Sequence, residues 1–158
     1  MGYPGRQNEL EMLDRQHQRH PLESLAQVIS VEDLFLAQEG VKTVHVSMAV
    51  REYIVSIVEA TRNHDDVFLG ASPRGSLALF NASRAWAGIR GRGFVTPDDV
   101  KHLAEPTLAH RIIVNPAARM RGTDSRDVVR NLLASIPAPG ATTAERVVVD
   151  GTRRVARV

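Results

Sequence analysis

The stretch Gly70-Ala71-Ser72-Pro73-Arg74-Gly75-Ser76-Leu77 holds the strongest chemical pattern in the sequence. Ser72 is a preferred helix N-cap and Pro73 suits the first helical position, so Arg74 falls in the first turn of the helix they open. That turn carries unpaired N–H groups and partial positive charge, and a cation there forfeits a few tenths to about 1 kcal/mol. Two arrangements offset the loss. The N–H groups and the guanidinium together hold an anion such as phosphate, or Arg74 turns to water or pairs with Asp65 or Asp66, just upstream. Local residues leave both open.

Other candidates are weaker. His17 and His20 share a helix face at spacing three, but no carboxylate pattern supports them as metal ligands and Pro21 follows at once, so a solvated helix end accounts for them. His64-Asp65-Asp66 reads as polar turn chemistry. Ser72 lacks a neighbouring base, and capping already explains it. A phosphate-cradling loop needs glycines followed by Lys and Ser or Thr. Only Lys42 and Lys101 are lysines; neither follows a glycine in such a pattern, and the run Val147-Val148-Val149 ends in Asp150-Gly151, not Asp-Glu. The basic clusters at 84–92 and 111–130 are interrupted by Asp98, Asp99 and Glu105, which reads as a solvated face rather than a stripe for nucleic acid.

The 158 residues suffice for one domain with a core, or a small domain with tails. A chain 43% hydrophobic and 24% charged is globular in composition, and 4% aromatics with much Ala, Leu, Val and Arg favours helices. The absence of cysteine excludes disulfides and thiolate metal sites and gives secretion no support, so a cytoplasmic location is expected. A net charge of +2 implies no nucleic-acid partner by itself. No apolar run approaches a signal peptide or a membrane span.

The pattern along the chain predicts an all-α fold, a small helical bundle ordered over about 7–136. A polar helix is expected over 7–18 with Leu10 and Leu13 inward, then one turn after Pro21. Ser30 and Asp33 form a capping box for a helix from Val31 to about Gln38, ended by Gly40. Residues 43–46 make a short extended link. Val50, Tyr53, Ile54, Ile57, Val58 and Thr61 step at three and four along an amphipathic helix over 48–63. A loop follows, then the Pro73 helix to about Arg90, whose Gly75, Ala78, Ala82, Ala85 and Gly88 permit close approach while Leu79, Trp86 and Ile89 fill space. Thr96, Pro97, Asp98 and Asp99 open a helix to about Ala109; residues 110–116 are extended, and a last helix covers 124–136. From Pro137 the composition shifts to a linker and an irregular or hairpin tail with a turn at Asp150-Gly151.

The runs HPLESLAQVISVEDL, VREYIVSIVEATRNH and LGASPRGSLALFNASRAWAGIRGRGFVTPDDVKHLAEPTLAHRI resemble the C-terminal part of a MoxR-type AAA+ ATPase. The likeness covers about residues 2–137, and Gly2-Tyr3-Pro4 resembles the end of that family's nucleotide-binding core. The resemblance implies three parts: the end of the core and a connecting helix over 1–20, a helical lid over 21–136, and a linker and tail over 137–158. It implies that the Walker motifs lie on an N-terminal AAA+ core, with ATP and Mg bound there, none held by this chain alone, and no ATP hydrolysis by it alone. It matches Arg74 to the sensor 2 arginine that reaches the γ-phosphate. It suggests adenine contacts from Pro73 and, less specifically, from Val50, Tyr53 or Ile54, which core packing explains equally well. Thr61 and Arg62 match the family's pattern without an assigned role. The implied partners are a homo-hexameric ring, client proteins and von Willebrand factor A-type proteins, with no metal site, nucleic acid or membrane span. The rival reading is a stand-alone helical interaction or DNA-binding module presenting Arg84, Arg90 and Arg92.

Overall fold

A computed structural model describes residues 3–16 and 21–140. His17, His20, the tail and the turn expected at Asp150-Gly151 lie outside them. Residues up to Glu39 and residues from Gly40 onward form two compact units.

In the first unit, α1 (Arg6–Gln16) precedes a single 3-10 turn (Pro21–Ser24), and α2 (Val31–Thr43) begins. Leu10 and Leu13 are not inward: they are 46% and 64% exposed. An apolar side chain is buried only where another element lies against it, and none of the described residues of this unit covers them. The capping box at the start of α2 forms as expected, with the Asp33 N–H donating to Ser30 Oγ at 3.0 Å and the Ser30 N–H donating back to Asp33 Oδ2 at 3.4 Å, and the Ser30 hydroxyl also donates to that oxygen at 2.6 Å. Gly40 does not end this helix. Glycine stops a helix by taking positive φ, which among the described glycines only Gly91, Gly122 and Gly140 do. The helix runs on to Thr43, whose hydroxyl donates to the Gly40 carbonyl at 2.8 Å.

The second unit is a helical bundle. Ser47 caps α3 (Met48–Arg62) by accepting the Val50 N–H, and the six positions read from its periodicity are the ones buried. Each large apolar side chain so buried contributes about 1.5–3 kcal/mol. α4 (Pro73–Ile89) and α5 (Pro97–Leu108) make the most extensive helix pair. The buried face of α4 is Gly75, Leu79, Ser83 and Ala87, a spacing of four. The expected small-residue face is therefore rotated: Ala78, Ala82 and Ala85 are only half-buried, Ile89 is 77% exposed, and Trp86 sits on the flank, stacked on His102 with ring centroids 4.7 Å apart. Gly75 does mark close approach, since a Cβ there would stand 3.2 Å from both Ala71 Cβ and Leu108 Cδ2.

The loop expected after α3 contains a strand, β1 (Val67–Leu69), antiparallel to β2 (Ile113–Val114), with Val67 opposite Val114 and Leu69 opposite Ile113. His45 makes an isolated parallel bridge to Phe94, which ties the link before α3 to the segment before α5. A short helix that periodicity did not reveal, α6 (Pro116–Met120), is capped by Asn115 and precedes α7 (Ser125–Ser135). Ile57, Val58, Leu79, Val100, Leu108 and Val129 form the centre of the core, which α3, α4, α5 and α7 share. The fold is thus all-α, a small helical bundle with one minimal strand pair inside it. Among the described residues no helix is long and apolar enough to cross a membrane.

Candidate functional site

α4 begins as its sequence dictates, but not with the capping bond its first residues suggest. Ser72 has the extended backbone of an N-cap and Pro73 stands at the first helical position, yet the Ser72 side chain makes no capping hydrogen bond. The Gly75 N–H instead donates to the Ser72 carbonyl at 2.7 Å, and Pro73 has no N–H to cap. The Arg74 N–H is left without a partner among the described residues.

Arg74 itself is exposed in this turn, where no acidic residue stands. The internal ion pair that local reasoning left open is not formed: Asp66 takes the Arg121 guanidinium at 2.6 Å, and no carboxylate among the described residues pairs with Arg74. A free guanidinium and a free backbone donor thus share one exposed helix start.

The connection leading into this turn is held by the end of α3. Thr61, wholly buried, donates to the Val58 carbonyl at 2.6 Å and accepts the Ala71 N–H at 2.9 Å. Arg62 Nε donates to the Ala71 carbonyl at 2.8 Å. Both backbone groups of Ala71 are therefore satisfied by two successive residues of one helix. Gly70 lies against the same turn, since a Cβ on it would stand 2.7 Å from Arg62 N, Arg62 Cα and Thr61 O. All three are backbone atoms that cannot swing aside. Gly70→Ala is expected to destabilise the bundle by about 1–3 kcal/mol through overpacking, read as a lower urea midpoint; an unchanged midpoint would mean that the two segments are not in contact. Periodicity placed Thr61 on the apolar face, and the family resemblance marked it and Arg62 without assigning either a role. A hydroxyl at a buried register must find partners, and that was the available signal.

Of the other residues singled out, Pro73 is exposed beside Arg74, whereas Val50, Tyr53 and Ile54 are 4%, 4% and 2% exposed and belong to the core. They pack the bundle and offer no surface. Burial, then the charge of Asp98, pushes the Tyr53 hydroxyl above its ordinary pKa, and that hydroxyl has no hydrogen-bond partner among the described residues.

The arginines of the 84–92 and 111–130 stretches are mostly engaged. Arg92 makes a bidentate pair with Asp99, at 2.7 and 2.5 Å, and Arg130 pairs with Glu105 at 2.8 Å. Arg90 lies over the Trp86 ring at 4.7 Å and Arg84 over Phe80 at 5.3 Å. His64 serves the polar turn, its Nδ1 accepting the Asp66 N–H at 3.1 Å. Asp99 also closes the capping box of α5 with Thr96. Sequence reasoning gave Asp99 its place at the helix start and missed its pairing with Arg92.

The AAA lid domain family matches residues 59–132. The chain is 41% identical over 146 residues to the uncharacterized protein YeaC of Bacillus subtilis, covering 92% of this chain and 46% of that protein. It is 31% identical over 148 residues to the chaperone MoxR1 of Mycobacterium tuberculosis, covering 88% of this chain and 39% of the relative. It is 35% identical over 111 residues to protein MoxR of Paracoccus denitrificans. A crystal structure from Cytophaga hutchinsonii, provisionally assigned as an ATPase, superposes with a TM-score of 0.77 at 25% identity, over 87% of this chain and 44% of that one. The chain therefore spans less than half the length of each of these relatives. Kinship in sequence and in helical fold coincide over most of its residues, and the chain is a MoxR-family AAA+ ATPase-related domain whose residues 59–132 are an AAA lid.

Proposed function

We propose that this chain is the C-terminal lid of a MoxR-type AAA+ ATPase and that Arg74 acts as its sensor 2. In this reading residues 1–20 close the nucleotide-binding core, residues 21–136 are the lid, and residues 137–158 are a linker and tail. ATP and its Mg ion are held by an N-terminal AAA+ core, and Arg74 reaches the γ-phosphate from the lid. One observation carries the proposal: an exposed guanidinium with no carboxylate partner among the described residues stands at a helix start whose own N–H has none among them either. A cation at that end is electrostatically unfavourable unless an anion joins it.

Phosphoryl transfer spreads negative charge over the γ-phosphate oxygens, and a fixed guanidinium stabilises that charge without reorganising. Hydrolysis and phosphate release remove the attraction, which frees the lid to turn against the core. Around a homo-hexameric ring, such turns drive chaperone-like remodelling of client proteins, with von Willebrand factor A-type proteins as partners; the relative named as a chaperone favours this role. Of the residues first considered against adenine, only Pro73 has the exposure to touch it. The engagement of Arg92 with Asp99 and of Arg130 with Glu105 disfavours a DNA-binding module.

The test is steady-state ATP hydrolysis by the pure chain and by the same chain joined to an AAA+ core. The pure chain is expected to bind ATP weakly and to release no phosphate, and the joined protein to turn over. Sustained turnover by the pure chain overturns the division of labour.

A further inference from the structure

We propose that Thr61 and Arg62 are positioning residues, a two-point clamp on the backbone of Ala71 that fixes where Arg74 stands. The inference rests on the sensor reading of Arg74 for its functional consequence, and on the geometry of α3 and α4 for the clamp itself.

Between the end of α3 and the start of α4 lie ten residues, 63–72, whose only regular piece is the three-residue strand β1. A connection of that length places a helix start poorly unless it is tied near its end. Ala71 is the tie. Its side chain is wholly buried and packs under Gly75 in the first turn of α4, 3.2 Å from where a Cβ of that glycine would be. Its N–H goes to Thr61 Oγ1 and its carbonyl accepts from Arg62 Nε, so the two peptides that flank its Cα are each held at one polar group while Gly70 closes against the Thr61 and Arg62 backbone. Arg74 follows three residues later.

Arg62 has a simpler use, since a cation suits the last turn of a helix. That use would leave its side chain free in solvent, whereas its Nε is committed to a backbone oxygen in the next segment. Likewise a valine would satisfy the apolar register at Thr61, but would leave the buried Ala71 N–H without an acceptor. Misplacing a reacting group by about 1 Å can cost about a hundredfold in rate. The clamp therefore acts on catalysis only through Arg74.

The experiment has two arms. Amide exchange of the 158-residue chain reads the clamp directly. Thr61→Val and Arg62→Met are each expected to speed exchange of the hydrogen-bonded Ala71 and Gly75 amides by about tenfold, the size of one lost buried hydrogen bond, while Ile57 and Leu79 keep their rates. Arg62→Gln, whose amide nitrogen sits the same number of bonds from Cα as Nε, should keep exchange slow. No acceleration in either variant, or equal acceleration in Arg62→Gln and Arg62→Met, overturns the clamp.

Turnover of the joined protein reads the consequence. Arg62→Met is expected to lower it about tenfold when Arg74 is present and not to lower it further beside Arg74→Ala, as interacting residues are non-additive. Equal losses in both backgrounds overturn the positioning role. If Arg74→Ala alone leaves turnover intact, the sensor reading and the catalytic role of the clamp fall together, and the exchange arm decides the clamp as a structural device.

Discussion

Arg74→Ala, made in the protein that joins this lid to its nucleotide-binding core, is expected to lower ATP turnover by about a hundredfold or more while leaving the fold intact. The magnitude is that of removing one preorganised donor from a site of developing charge. The fold is expected to survive because Arg74 is exposed and makes no hydrogen bond or ion pair among the described residues. Removing a cation from a helix N-terminus even favours the helix by a few tenths of a kcal/mol. Phosphate release at saturating ATP, together with a thermal melt, checks both halves. Arg74→Lys discriminates further, since an ammonium keeps the charge without the planar fork and should recover only part of the rate. Undiminished turnover in Arg74→Ala ends the sensor assignment.

The largest effect on stability is expected at Asp99. This carboxylate is buried between Arg92 and the first turn of α5, accepting from both terminal guanidinium nitrogens, from the Thr96 N–H at 2.8 Å and from the Thr96 hydroxyl at 2.9 Å. Burial alone would raise its pKa. The hydrogen bonds from Arg92 and Thr96, with the Arg92 charge, outweigh burial and hold the pKa at about 2, against an ordinary 3.8. Because the folded value lies below the unfolded one, the stabilisation is fully present above about pH 5 and is lost as pH falls through 2; its size is about 2 kcal/mol. Asp99→Asn removes this together with the capping bonds that an ionised oxygen makes best, a loss of about 3 kcal/mol near neutral pH. Urea melts of the two chains at pH 7, 4 and 2 supply the check, and the gap between them should narrow below pH 4. A gap independent of pH would show that the ionised pair contributes nothing.

Much of this fold was legible because its helices announce themselves locally. The capping boxes at Ser30 and Thr96 and the three-and-four stepping of Val50, Tyr53, Ile54, Ile57, Val58 and Thr61 are all short-range patterns, and each forms. β1 and β2 were not legible as partners because Val67–Leu69 and Ile113–Val114 lie some 45 residues apart and are too short to show alternation. α6 escaped because five residues carry no periodicity. Gly40 was misread for a different reason: composition marks glycine as a possible stop, but only its backbone angle makes it one.

By itself the sequence determined that the chain is helical, that a helix opens at Pro73, and that Arg74 stands at the end of it where a cation needs an anion. These follow from propensity, capping and the helix dipole, which act within one turn. Tertiary structure decided which face of α4 is buried, that Asp66 belongs to Arg121 and Asp99 to Arg92, and therefore that Arg74 is left without an acid among the described residues. It also made Thr61 and Arg62 the holders of the Ala71 backbone. Pairings of this kind depend on where separate segments of chain meet, and no preference that acts within one helical turn encodes a meeting of residues seven, ten or fifty-five positions apart.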